Sequence, residues 1–290
     1  MYNNIVVGFD DSEFSKAALL ESSRWIKKHG GKIALVHAVF FDTEEFAIAP
    51  GQREKRFELG RKICFQTKET LSLELGLDGS IEAMVCEGEP HEVVVDIAAS
   101  KNADLIALGT HGRKGFKKLF MGSVTSRVLV SSPCDVLVVN KPCEKCEGKY
   151  NSILLSYDGS EFSKKALKRA CELAKSDGSE ITALYVIPHY EVFEIFITSG
   201  MEKSMIHDAQ TIMEDAKKIA SGHGIEIKTE IVEEHVAEKT AEKIVGTANR
   251  LKSDLIIRGP RGWAGINKAM IGSIAEDVII NASCPVLIIK

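Results

Sequence analysis

Apolar, largely β-branched runs punctuate the first half of the chain at 4–9, 33–39, 81–86, 104–109 and 135–139. Between them, apolar residues recur with the period of a helix over 13–28, 52–75, 91–101 and 123–131. The runs IVVGF, IALVHAV, DLIALG and DVLVV are nearly continuous rather than alternating, which is the pattern of strands covered on both faces. Strands alternating with helices predict an α/β fold, a parallel sheet doubly wound with helices on both sides. The second half repeats this order as SILLSY, ITALYVI, EIKTEIV, DLIIRG and PVLII.

The repetition extends to individual residues. Val7-Gly8-Phe9-Asp10-Asp11-Ser12-Glu13-Phe14-Ser15-Lys16 returns as Leu155-Ser156-Tyr157-Asp158-Gly159-Ser160-Glu161-Phe162-Ser163-Lys164, and Ala103-Asp104-Leu105-Ile106 returns as Ser253-Asp254-Leu255-Ile256. Two tandem domains of five strands each are therefore expected, at 1–141 and 150–290, joined by a polar linker over 142–149. At 290 residues, 44% hydrophobic and 27% charged, each half has the material for its own core.

A net charge of −4 gives no general attraction to nucleic acid or to an anionic membrane. The N-terminal residues carry no leader pattern and no apolar run approaches the length of a membrane span, so a cytoplasmic protein is expected. Seven cysteines, an odd and scattered set, do not form a secreted disulfide framework. Cys143-x-x-Cys146 is half of a zinc or redox motif, and without a second pair of ligands it reads as exposed thiols.

The candidate chemistry follows the fourth strand of each copy. Gly109-Thr110-His111-Gly112, nine residues, then Gly122-Ser123 is matched by Gly259-Pro260-Arg261-Gly262, nine residues, then Gly272-Ser273. Glycines there allow positive φ and a close approach of backbone to ligand. The helix opening at Gly122-Ser123 offers free amides and a dipole to a phosphate, and Ser123 either caps that helix or donates to the ligand. A purely structural reading, tight turns with a capping serine, stands beside this one.

Asp10 and Asp158 close the first strand of each copy. In a doubly wound sheet, ligands bind beyond the carboxyl ends of the strands, where the strand order reverses. If the first and fourth strands flank that point, Asp10 faces the Gly109 loop, where it meets a base or ribose, forms a turn with Ser12, or does both. Neither GxxxxGK[ST] nor GxGxxG occurs at this position, which disfavours the two commonest nucleotide folds.

With Val7-Gly8-Phe9-Asp10 and Ser12, the two G-x2-G-x9-G-S loops, and the closing Cys284-Pro285-Val286-Leu287-Ile288, the chain resembles the universal stress protein family twice over, missing only the linker. That resemblance implies five parallel strands in the order 3-2-1-4-5 and, in the nucleotide-binding branch, bound ATP or AMP, with magnesium or manganese accompanying ATP. Carried over by motif, Asp10 meets the adenosine, Ala38 lines the base pocket, and Gly109, Gly112, Gly122, Ser123 and Val124 wrap ribose and phosphates. The matching set is Asp158, Val186, Gly259, Gly262, Gly272, Ser273 and Ile274. The resemblance also implies a pseudo-dimer of the two domains through their fifth strands, 135–139 and 285–289, and admits a homodimer.

The second copy departs from the first: Arg258 replaces Leu108, Pro260-Arg261 replaces Thr110-His111, and Glu238-Lys239-Thr240 replaces Gly88-Glu89-Pro90. Arg258 and Arg261 add phosphate contacts, or Arg258 fills the base pocket or pairs with a carboxylate, which leaves a degenerate second site open. Arg113, Lys114, Lys117 and Lys118 make the first loop basic, where the second keeps Trp263, Asn267 and Lys268. His37, His91 and His111 show no motif pairing them with a nucleophile and read as structural.

The sequence therefore leads to a nucleotide-binding, stress-related module without committed catalytic residues. Its alternatives are a slow ATPase or a phosphoryl or adenylyl transferase, and a scaffold that recruits partners through Val192–Ile197 and the linker.

Overall fold

A computed structural model describes residues 1–41, 50–112, 121–141, 148–187, 199–233, 239–262 and 271–290. The chain divides into two compact units, Met1–Lys149 and Tyr150–Lys290. Four of the features discussed above fall outside the described residues: the basic stretch Arg113–Lys118 with its counterpart from Trp263 to Lys268, the Cys143 and Cys146 pair, the apolar segment Val192–Ile197, and Glu238.

Unit 1 runs β1 (Asn4–Gly8), α1 (Glu13–His29), β2 (Lys32–Val39), α2 (Pro50–Leu75), β3 (Ile81–Glu87), α3 (Pro90–Ser100), β4 (Leu105–Gly109), α4 (Ser123–Ser131) and β5 (Asp135–Val139). All its strand pairs are parallel and their order is 3-2-1-4-5. Central Val6 pairs with Ala34 of β2 on one side and Ile106 of β4 on the other, so the order reverses between β1 and β4. Ile5, Val6, Val7, Leu35 and Ile106 are buried, as strands covered on both faces require.

Unit 2 repeats the arrangement as β6 (Ser152–Ser156), α5 (Glu161–Asp177), β7 (Glu180–Ile187), α6 (Ser199–Gly222), β8 (Lys228–Glu233), α7 (Thr240–Leu251), β9 (Leu255–Arg258), α8 (Ser273–Asn281) and β10 (Val286–Ile288). Here β6 is central, with Leu154 paired to Thr182 of β7 and Ile256 of β9. The expected strands and helices are present in both units. The largest shift in a strand start is β8, which begins at Lys228 rather than Glu226.

The repeated residues have local reasons. Ser12 caps α1 by accepting from the Ser15 amide at 3.2 Å, and Ser160 caps α5 by accepting from the Ser163 amide at 3.3 Å. Gly30 (φ 79°) and Gly178 (φ 74°) close these helices in backbone conformations that favour glycine. Asp104 accepts from the amides of Asn3 and Asn4 at 2.8 and 3.1 Å, and Asp254 accepts from Asn151 and Ser152 at 2.8 and 3.0 Å. The matched aspartates thus tie the fourth strand of each unit to the start of its first, at the end opposite the loops.

Candidate functional site

The reversal between β1 and β4 brings the two predicted features of unit 1 together. Asp10 follows β1 and turns back on itself: its Oδ1 accepts from the Ser12 hydroxyl at 2.6 Å and from the Ser12 amide at 3.1 Å. Its Oδ2 faces Gly112, where a Cβ would lie 2.7 Å away. Turn formation and exposure to the crevice therefore coexist in one carboxylate. Asp11 supports the turn at φ 68°, where unit 2 has Gly159 at φ 77°.

The loop glycines are required for close packing, not for left-handed backbone. None of the six has a positive φ, and Gly122 and Gly272 sit at −59° and −70°. A Cβ on Gly109 would lie 2.5 Å from Phe14 Cβ, 2.6 Å from Phe14 C and 2.8 Å from Ser15 N, so α1 presses directly on the end of β4. A Cβ on Gly122 would lie 3.0 Å from the Thr110 oxygen, and the Gly122 amide donates to that same oxygen at 2.9 Å. The loop thereby closes on itself and delivers α4 to the crevice.

Ser123 does not cap α4. The cap is Gly122, which has no side chain to bond the first-turn amides, and Ser123 is the first helical residue with an exposed side chain. Ser123 and half-buried Val124 therefore follow the loop at a positively polarised helix end whose cap is a glycine. Half-buried Ala38 lies near the carboxyl end of β2, two residues beyond Val36, whose oxygen accepts from the Phe9 amide at 2.8 Å.

Thr125, not singled out from the sequence, and Leu108, noted there only as the residue that Arg258 replaces, shape this site. Thr125 donates its hydroxyl to the Gly109 oxygen at 2.7 Å, pinning the first turn of α4 to the end of β4. Leu108 lies over Gly8, the next residues in register after the Val7–Ala107 pair, and a Cβ on Gly8 would overlap the Leu108 side chain. The histidines divide. His37 Nδ1 is 2.7 Å from the Phe9 oxygen, which gives it a structural role. His111 is buried against the Phe14 ring at 5.3 Å, and neither ring nitrogen has a partner among the described residues.

Unit 2 keeps the frame and changes the lining. Asp158 Oδ1 accepts from the Ser160 amide at 3.0 Å, and a Cβ on Gly262 would overlap Asp158 Oδ2. Gly259 packs on Phe162, with a Cβ 2.6 Å from Phe162 Cβ. Gly272 caps α8 without a side-chain bond, Ser273 and Ile274 are exposed, and Val186 is half-buried near the end of β7.

Ser156 and Arg258 stand where unit 1 has Gly8 and Leu108, and Ala275 stands where it has Thr125. These exchanges belong together: the Gly259 oxygen accepts from Arg258 Nε at 3.2 Å, whereas the Gly109 oxygen accepts from Thr125. Burial pulls the Arg258 guanidinium down to about 10, with the neighbouring Asp158 charge partly opposing the shift, so it remains protonated at neutral pH.

A further signal lies at the opening of α8. Glu276 is in its first turn and Asp277 follows, where α4 carries Ser126 and Arg127. Acidic groups near a helix N-terminus stabilise the helix and repel a phosphate brought there. Beneath the crevice, Tyr157 replaces Phe9, and its buried hydroxyl has no partner among the described residues. Desolvation, with Asp215, Asp158 and Glu161 nearby, pushes Tyr157 up to about 12.

A model of the Universal stress protein family matches residues 1–140 and 149–290. The chain belongs to that family, with two copies of its domain. A universal stress protein of Methanocaldococcus jannaschii is 33% identical over 156 residues, covering 53% of this chain and 89% of its own. Among solved structures, a universal stress protein from Archaeoglobus fulgidus matches 99% of this chain and 96% of its own with a TM-score of 0.71 at 21% identity. A Pseudomonas aeruginosa protein matches all of this chain and 93% of its own with a TM-score of 0.67 at 16% identity. Those two likenesses concern the fold. No described helix is long and apolar enough to cross a membrane.

Proposed function

We propose that unit 1 holds an adenine nucleotide, ATP or AMP, in the crevice between β1 and β4, as a nucleotide-responsive module. The observation that carries this reading is the meeting of Asp10 Oδ2 with Gly112 beside a helix that opens on a glycine cap. In this reading Asp10 contacts the adenosine, Ala38 lines the base, and the backbone from Gly109 through Gly112, Gly122, Ser123 and Val124 follows ribose and phosphates. Backbone amides at a helix opening supply anion contacts. Among the described residues no cluster of three His, Cys, Asp or Glu side chains exists. In this reading a magnesium or manganese ion accompanies ATP.

Unit 2 in this account has lost the nucleotide. A charged residue replaces the apolar floor at Leu108, and two acids stand near the helix opening. Mass spectrometry of ligand released from the denatured full chain, followed by ATP and AMP titrations, tests the reading. Asp10→Ala should weaken binding at least about tenfold, equivalent to about 1.4 kcal/mol. Gly122→Val should abolish it by filling the space against the Thr110 oxygen. Absence of affinity in the unmutated chain would refute the reading, and phosphate release with magnesium or manganese measures turnover separately.

A further inference from the structure

We infer that His37 is a positioning residue of the unit 1 site: its imidazole fixes the peptide group that carries Asp10, and Gly60 of α2 leaves it the room to do so. The inference rests on the reading of unit 1 as a nucleotide site and names what aims its aspartate.

Asp10 stands two residues beyond the end of β1 at Gly8. Between them, buried Phe9 keeps one strand contact, its amide donating to the Val36 oxygen at 2.8 Å. The Phe9 carbonyl is met by a side chain. His37 follows in register after the Gly8–Val36 pair and brings Nδ1 to 2.7 Å from the Phe9 oxygen. A carbonyl oxygen only accepts, so Nδ1 carries the proton. That oxygen belongs to the same peptide group as the Asp10 amide, which donates to Ser15 Oγ at 3.3 Å. Both polar atoms of the peptide plane are thus held, one from β2 and the other from α1. With Oδ1 taken by the Ser12 hydroxyl and amide, the direction of Oδ2 towards Gly112 is set.

α2 is shaped to this arrangement. Gly60 lies buried within the helix, and its φ is not positive. Glycine weakens a helix interior relative to alanine, so its presence there calls for a packing cause. A Cβ on Gly60 would lie 2.8 Å from His37 Cδ2, 3.4 Å from His37 Nε2 and 3.2 Å from Val85 Cγ1. The imidazole occupies the space that a side chain at position 60 would take. Confined between α2 and the Phe9 oxygen, the buried ring makes its bond with little competition from water.

Unit 2 retains the backbone half of the arrangement and changes the other. The Tyr157 amide donates to the Leu184 oxygen at 2.9 Å, as Phe9 does to Val36, but Tyr185 stands in place of His37. A phenol carries its donor at the far end of the ring and has none where imidazole has Nδ1. The exchange falls in the unit whose lining has moved away from a nucleotide.

The test pairs two replacements of His37 in the full chain. His37→Asn places an amide N–H where Nδ1 stands, and His37→Leu keeps similar bulk without a donor. In AMP titrations of chains shown to be folded by circular dichroism, His37→Leu should lose at least about fivefold in affinity and His37→Asn no more than about twofold. The Ser12 amide, bonded to Asp10 Oδ1, reads the aspartate without any nucleotide: its NMR resonance should shift in His37→Leu and hold in His37→Asn. Gly60→Ala leaves the imidazole in the chain but crowds it, so it should reproduce the loss seen in His37→Leu and add nothing when the two are combined. An unchanged affinity and Ser12 resonance in His37→Leu would overturn the inference even if the melting temperature falls, because that is the behaviour of a residue that only packs. Equal losses in His37→Asn and His37→Leu would overturn it as well. A chain without AMP affinity refutes the reading of unit 1, and the Ser12 resonance then decides the positioning of Asp10 by itself.

Discussion

Replacing either of two glycines in the same loop should produce two different defects. At Gly109 an added methyl carbon would stand 2.5–2.8 Å from three atoms of Phe14 and Ser15, two of them backbone. Ordinary contact begins near 3.4 Å, so α1 must retreat by most of an ångström, against the cap that Ser12 makes with the Ser15 amide. Overpacking of this kind costs about 1–3 kcal/mol. For a unit of this size that lowers the melting temperature by about 4–8 °C at the middle of the range. At Gly112 the methyl meets one atom below 3.8 Å, the Asp10 Oδ2 at 2.7 Å. A side chain can move, so Gly112→Ala should cost less than about 1 kcal/mol in stability. Moving it displaces Asp10 from the crevice, so nucleotide affinity should fall at least about tenfold. The chain has two tryptophans, and in a Trp263→Phe background the fluorescence of buried Trp25 reports unfolding of unit 1. Denaturant titration and AMP titration of both variants separate the two effects. Equal losses of stability in Gly109→Ala and Gly112→Ala, or an unchanged midpoint in Gly109→Ala, would refute the packing assignment.

Thr125→Ala in unit 1 removes the hydroxyl from the buried Gly109 oxygen and should destabilise that unit by about 1–2 kcal/mol, measured by the same Trp25 denaturation. Asp11→Gly should relieve a positive φ that Gly159 occupies in unit 2, raising the stability of unit 1 by up to about 1 kcal/mol in the same denaturation despite loss of the exposed Lys16 pair. Tyr157→Phe should stabilise unit 2 by about 1–2 kcal/mol at neutral pH, because a buried hydroxyl without a described partner is removed and Phe9 already fills the equivalent place. Burial raises Tyr157 from 10 to about 12 and Cys171 from 9 to about 11, so below about pH 8 both are neutral in the folded and the unfolded chain and add no pH dependence. As pH rises from 9 towards 12 the unfolded chain ionises first and stability falls; Tyr157→Phe should remove about 2–3 kcal/mol of that fall in alkaline melts. Arg258, lowered from 12.5 to about 10, acts in the opposite sense, its burial penalty easing above pH 10.

The duplicated architecture was legible because continuous apolar runs and matched aspartates and glycines have direct backbone consequences. Asp104 and Asp254 recur because each ties two strand ends together, and the Asp10 and Gly112 pairing follows from the strand reversal between β1 and β4. The glycines were misread in one respect. Their spacing suggested positive φ, but their role is to admit Phe14, the Thr110 oxygen and Asp10, neighbours that only the folded chain supplies. Ser123 looked like a cap because serine commonly is one, yet the helix begins one residue earlier than that role requires. The Thr125 and Arg258 exchange was invisible for a related reason: the two residues serve the equivalent carbonyls of Gly109 and Gly259 from different elements. Glu276 and Asp277, by contrast, were readable from the aligned copies as acids replacing Ser126 and Arg127.

The central claim is an unequal pair of units, one built for a nucleotide and one changed away from it. Equilibrium dialysis of AMP against the full chain, with Asp10→Ala and Asp158→Ala variants alongside, tests it most directly. The account predicts one AMP per chain, lost on changing Asp10 and retained on changing Asp158. Two equivalent AMP molecules per chain, or one that survives Asp10→Ala and disappears with Asp158→Ala, would contradict it.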